Sequence, residues 1–334
     1  VWLFWLGGRP TDLCLLIVAH LVLLGCGGVA LGRSLGLREG GSLLAGLVLS
    51  THPYFLAQVG EGHYPHVWSV AWLPWCASAL IRDRQGDRSA WKRAAGFSAL
   101  SFLAGHPQEW FYFQTVVGAI LLVDLIRSRG RSRRQLVGPA RYWLASLGLI
   151  SAELLPELAT RGEVAAVWGT GLTEAGRQAI GPLNLLQLLD PFALGGPFDY
   201  RGPGSFWETQ LSMGLAALGL ALFGIIRSED GQRSRRTALV LLGCLGFAAG
   251  PALGLYTLAA TVVPALGAFR CPSRMLFIAS IAGSMLAGIG WEAAGSGRYG
   301  RVVLIAAATL WAGETLRYAS RVIVVSPLSA WIGP

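Results

Sequence analysis

Three histidine–proline neighbourhoods hold the side chains best suited to moving protons: Thr51-His52-Pro53-Tyr54, Glu61-Gly62-His63-Tyr64-Pro65-His66 and Gly105-His106-Pro107-Gln108-Glu109-Trp110. Imidazole titrates near neutrality, and beside a carboxylate at a helix mouth it serves as acid, base or hydrogen-bond donor to phosphate. Glu61, His63 and His106 are therefore the candidate catalytic groups. A plainer reading stands beside this one, because histidine and tryptophan favour membrane interfaces and proline starts or breaks helices.

Two further constellations suit ligand binding. The stretch from Asp190 to Glu208 is rich in glycine, proline and aromatic residues, and such a loop can lay amides and flat rings over a sugar, with Asp199, Arg201 and Glu208 holding its hydroxyls. Its alternative is an ordered cap on the protein, with Glu208 paired to an arginine. In Phe269-Arg270-Cys271-Pro272-Ser273-Arg274 two arginines stand four apart before an apolar run. Guanidinium forks match phosphate oxygens, so Arg270 and Arg274 are candidates for an anionic lipid-phosphate; the alternative is a salt bridge to a loop carboxylate or a snorkelling anchor. No H-E-x-x-H pattern is present and the five cysteines have no metal or disulfide spacing, so no metal site is expected and the cofactor stays unassigned.

These groups need elements to position them, and composition names the solvent. The 334 residues are 53% hydrophobic and only 13% charged, with a mean hydropathy of +0.52, which excludes an ordinary water-soluble domain. Apolar runs alternate with short arginine clusters, as expected when helices satisfy every backbone amide inside lipid. The reading is an all-α, polytopic transmembrane bundle of about ten helices forming one domain over 1–334. The spans run Asp12 to Leu31, Ser42 to Val59, Val67 to Ile81, Ala94 to Ala104, Trp110 to Ile126, Tyr142 to Glu157, Gln210 to Ile226, Thr237 to Leu255, Met275 to Trp291 and Val302 to Leu316. A long extracytoplasmic loop fills 158–208. The start at Val1 and the stop just after a span suggest that sequence is missing at both ends.

Orientation follows from the basic loops, since Lys and Arg in short loops stay cytoplasmic. If the spans alternate, one side receives Arg33 and Arg38, the cluster from Arg82 to Arg93, that from Arg127 to Arg141, then Arg227 to Arg236, Arg298 and Arg301, which is most of the 27 basic residues. The net charge of +9 is thereby a topology signal and a contact with anionic membrane lipids, not nucleic-acid binding. The location is the inner (plasma) membrane, multi-pass, with basic loops cytoplasmic. Four of the five histidines and most unusual acids fall on the opposite face.

The order of these features resembles the YfhO-like family of bacterial membrane proteins, multi-span glycosyltransferases that use polyprenyl-phosphate sugars. The resemblance rests on His20 with Arg33-Ser34-Leu35-Gly36-Leu37, His63 before Trp72-Leu73-Pro74, Gly105-His106-Pro107-Gln108, Leu154-Leu155-Pro156, Tyr200-Arg201-Gly202 with Trp207-Glu208, and Phe269 to Arg274. It implies a GT-C-like fold and transfer of a sugar from a polyprenyl-phosphate-linked donor to a cell-envelope acceptor: a wall polymer, lipid or protein. In such enzymes the principal catalytic carboxylate lies in the first outer loop, and the resemblance implies that this chain starts after it. The alternative class is a polytopic transporter or lipid flippase, which needs polar groups near the bilayer midplane.

Overall fold

The computed structural model describes residues 10–127, 133–168, 172–269, 271–295 and 300–322. Among them all regular structure is helical: α1 Pro10–Ser34, α2 Glu39–Ser50, α3 Pro53–Glu61, α4 Tyr64–Val70, α5 Leu73–Arg84, α6 Ala90–Leu103 and α7 Pro107–Arg127, followed by α8 Arg133–Trp168, α9 Leu172–Arg177, α10 Leu215–Arg227, α11 Gly231–Ala248, α12 Leu255–Val262, α13 Leu276–Gly295 and α14 Gly300–Val322. Among the described residues, four stretches are long and apolar enough to cross a membrane: Thr11–Ser34, Glu39–Glu61, Pro107–Arg127 and Pro272–Gly295. Leu15, Val18 and Val22 on α1 and Ile126 on α7 point outward, as apolar side chains do when lipid covers them.

Proline divides several expected spans. Ser42 to Val59 is broken at Thr51-His52, where Pro53 opens α3 and the His52 side chain accepts from the Tyr54 amide at 3.2 Å, an N-cap contact. Val67 to Ile81 is likewise divided between α4 and α5, with Pro74 in the first turn of α5. The span expected over Ala94 to Ala104 starts earlier, at Ala90, but its 14 residues rise only about 21 Å. The loop expected from Leu158 begins instead as helix, because α8 runs 36 residues to Trp168. Pro156 is accommodated inside it, and Leu158, Ala159 and Arg161 are good helix formers.

Helix α13 is the centre of the bundle, buried along most of its length and packed against α2, α10 and α11. Glycines permit this. A Cβ on Gly290 would overlap the Leu220 carbonyl of α10, and one on Gly288 would come within 2.5 Å of the Gly41 carbonyl of α2. Close backbone approach through small residues is how helices associate where the surrounding lipid is as apolar as leucine. Charge sits at the two ends. Glu292, near the C-terminus of α13, lies 3.7 Å from Arg233, while Arg274 stands just before its N-terminus, about 27 Å of helical rise away.

Candidate functional site

Each histidine–proline neighbourhood becomes a helix start. His63 occupies the N-cap of α4, with Pro65 in the first turn, and His106 immediately precedes Pro107 of α7. The preceding helices end on glycines in the left-handed region, Gly62 at φ 89° and Gly105 at φ 93°, which turn the chain sharply enough to present both imidazoles at one end of the bundle. Arg274 comes from the short 3₁₀ turn Pro272–Met275 that leads into α13. Glu208 comes from the segment before α10, held by a Tyr200 hydroxyl that meets Thr209 at 2.9 Å and accepts from Asn184 at 2.7 Å. Phe206 stacks there on Phe192 and Tyr318.

These four sources converge on one hydrogen-bonded chain. Arg274 donates from Nε and Nη2 to the Glu208 carboxylate, at 3.0 and 2.6 Å, and from Nη1 to His106 Nε2 at 2.8 Å and to Gln108 at 3.3 Å. Since His106 Nε2 accepts, its proton lies on Nδ1, which donates to Glu109 Oε2. The second oxygen of Glu109 meets His66 Nδ1 at 2.6 Å. His66 and Glu109 are wholly buried. At the other end the chain reaches the surface. His63 Nδ1 faces three oxygens: Gln58 at 2.9 Å, Glu61 at 3.2 Å and Glu208 at 3.8 Å. Glu61 and His63 are about a third exposed, against 6% for the Glu208 side chain.

Burial and neighbouring charge set the protonation states. Burial lowers the His63 pKa to about 4, helped by the Arg274 cation, so its imidazole is neutral at neutral pH. Burial also lowers His66, against the pull of Glu109. For Glu208 burial opposes ionisation, but the guanidinium of Arg274 outweighs it and holds the carboxyl below its usual range.

The structure thus brings together Glu61, His63, His106, Glu208 and Arg274 of the sequence candidates. Arg270 lies outside the described residues. Asp199 and Arg201 sit apart, on an exposed turn, where the Asp199 carboxylate accepts from the Gly196 amide at 2.6 Å and the Arg201 amide donates to Leu194. Two alternatives raised separately by the sequence, Glu208 paired to an arginine and Arg274 bridged to a loop carboxylate, are a single bond. The sequence reading left Glu109, His66, Gln58 and Gln108 out of the site. Glu109 had a local signal, since it stands three residues after His106 at the start of a helix, where carboxylates favour the first turn. Gln58 and Gln108 had none. No protein-family model matches the chain, and no curated protein and no solved structure shows significant similarity to it.

Proposed function

We propose that this chain is the membrane-embedded part of a glycosyltransferase of YfhO-like type, built on about ten spans, that moves a sugar from a polyprenyl-phosphate donor to a cell-envelope acceptor on the extracytoplasmic side. One observation carries the reading: the ionisable network is confined to one end of the bundle and runs from the partly exposed Glu61 and His63 inward to Glu208, Arg274 and Glu109. Below it, the buried length of α13 is apolar, and the hydroxyls of Ser280 and Ser284 donate to their own helix. A transporter places polar groups near the midplane, and the described part of α13 offers no charge there.

Glycosyl transfer develops positive charge at the sugar carbon and negative charge on the departing phosphate, so the site needs a base toward the acceptor and cations toward the donor. His63 fits the first need. With Nδ1 turned to Gln58, Glu61 and Glu208, the imidazole keeps Nε2 for the acceptor proton, and Glu61 orients it. His106 has both ring nitrogens engaged and positions Arg274. Arg274 is assigned to the phosphate, with Arg270 proposed for the same role from its place in the sequence alone; Asp199 and Arg201, on their separate turn, are left for sugar hydroxyls reaching beyond the network. The test is donor turnover by the full-length enzyme carrying Arg270→Ala and Arg274→Ala. A loss of at least about 100-fold is expected from removing charge-assisted contacts to the leaving group; undiminished turnover removes the assignment.

A further inference from the structure

Among the described residues the network holds more carboxylates than cations. Among the described residues, the carboxylates of Glu61, Glu109 and Glu208 share one guanidinium, that of Arg274, and His106 adds no charge because it accepts from that guanidinium. Burial makes uncompensated charge costly, so a group of this kind recruits a cation. The deficit lies at the accessible end. Glu109 has both oxygens on imidazoles, whereas Glu61, about a third exposed, is paired among the described residues with the neutral His63 imidazole and with no cation at ion-pair distance.

The ligand geometry is present at that end. His63 Nδ1 stands 3.2 Å from a Glu61 oxygen and 3.8 Å from a Glu208 oxygen, and one donor atom from each of the three residues lies within 4.8 Å of the others. Adjacent ligands on a cation with bonds of about 2.1 Å stand about 3–3.5 Å apart, so small rotamer adjustments close the site. The Gln58 side-chain oxygen, 2.9 Å from the same nitrogen, offers a fourth ligand. A second observation points the same way. The Tyr54 hydroxyl and His66 Nε2 are wholly buried without hydrogen-bond partners among the described residues, and Tyr54 lies within electrostatic reach of Glu208, Glu109 and Arg274. Orphaned polar atoms around a charged cluster mark a site that takes an ordered water or ion.

We propose that Glu61, His63 and Glu208 bind a divalent metal cation, with Glu208 bridging the metal and Arg274. Two carboxylates, one imidazole and an amide oxygen make a mixed, oxygen-rich set, which suits Mn2+ better than a thiolate-seeking metal. On binding, the His63 proton moves from Nδ1 to Nε2, freeing Nδ1 as a ligand, so in the metal-bound state His63 serves as a ligand and no longer as the base. The metal then supplies the positive charge that a phosphate needs in an otherwise anionic site, a role that rests on the transferase reading, although the binding itself does not.

The experiment uses purified, chelator-stripped protein in neutral-lipid nanodiscs, titrated with MnCl2 while free Mn2+ is followed by electron paramagnetic resonance. Saturable binding of a single Mn2+ is expected, weakened at least about tenfold in Glu61→Gln and in His63→Ala and unchanged in Asp190→Asn. Absence of saturable binding, or unaltered isotherms in both site variants, overturns the proposal. The two variants alter partly exposed groups and leave the Arg274–Glu208 bond in place, and a Mn2+-induced rise in melting temperature in the parent protein that both variants lose is an independent readout. Donor turnover is measured separately: a chelator-insensitive enzyme that still binds Mn2+ refutes the phosphate role alone, and a chain without transferase activity leaves the isotherm as it is.

Discussion

The Arg274–Glu208 bond offers the sharpest test of how the site is held. The Arg274 side chain is 11% exposed and that of Glu208 6%, so neither has much water to fall back on. Breaking a buried pair by removing one partner costs about 3–5 kcal/mol, because the remaining charge stays buried and unpaired, whereas replacing both partners with neutral groups costs far less. Arg274→Met should fall at the upper end, since it also strips a donor from His106 and Gln108. Glu208→Gln keeps one acceptor for the guanidinium and should fall at the lower end. The double variant should be destabilised less than the two singles together, with a coupling of about 2–4 kcal/mol. The assay is reversible unfolding in mixed micelles, followed by tryptophan fluorescence. Single costs below about 1 kcal/mol, or costs that simply add, would refute the claim that this bond is buried and central.

Other consequences are read independently. Gly290→Val should destabilise the bundle by at least about 1–3 kcal/mol, since its side chain meets the Leu220 backbone rather than a movable group; an unchanged melting temperature would show that α10 and α13 do not cross there. His66→Phe should keep the packing against Tyr54, Phe55 and Phe277 but strip a donor from buried Glu109, at a cost of about 1–3 kcal/mol measured by the same unfolding assay. Acid should destabilise chelator-treated protein in two steps. His66 has a folded pKa below its unfolded value of 6.5, so its contribution is intact above pH 6.5 and declines as the pH falls below it; Glu208, also lowered, adds a loss below about pH 4.5. A melting temperature flat between pH 7 and 4 contradicts this. Cysteines placed at Gly86 and at Tyr200 should label from opposite sides of the membrane, with only the second accessible from outside cells.

Much of the local architecture was legible because its causes are local. Proline cannot continue a helix and glycine can turn one, so His52-Pro53, Tyr64-Pro65 and His106-Pro107 mark helix starts in the sequence itself. Apolar length marked the stretches Thr11–Ser34 and Pro107–Arg127, and the separation of arginines from histidines and acids gave the expectation of a polar face at one end. Where proline falls inside an apolar run the sequence was less decisive: Pro53 divides its run, while Pro156 is absorbed into α8, since the outcome depends on whether neighbouring helices compensate the lost hydrogen bond.

The chain by itself determined the apolar stretches, the prolines that open several helices, and the kinds of side chain at each mouth. Tertiary structure alone decided that Arg274 meets His106 across 168 residues of sequence and Glu208 across 66, that Glu109 serves two histidines, and that Asp199 and Arg201 stand aside. Hydropathy and proline geometry act on neighbours along the chain, whereas these bonds form only once packed helices have excluded water and brought distant partners to each buried charge.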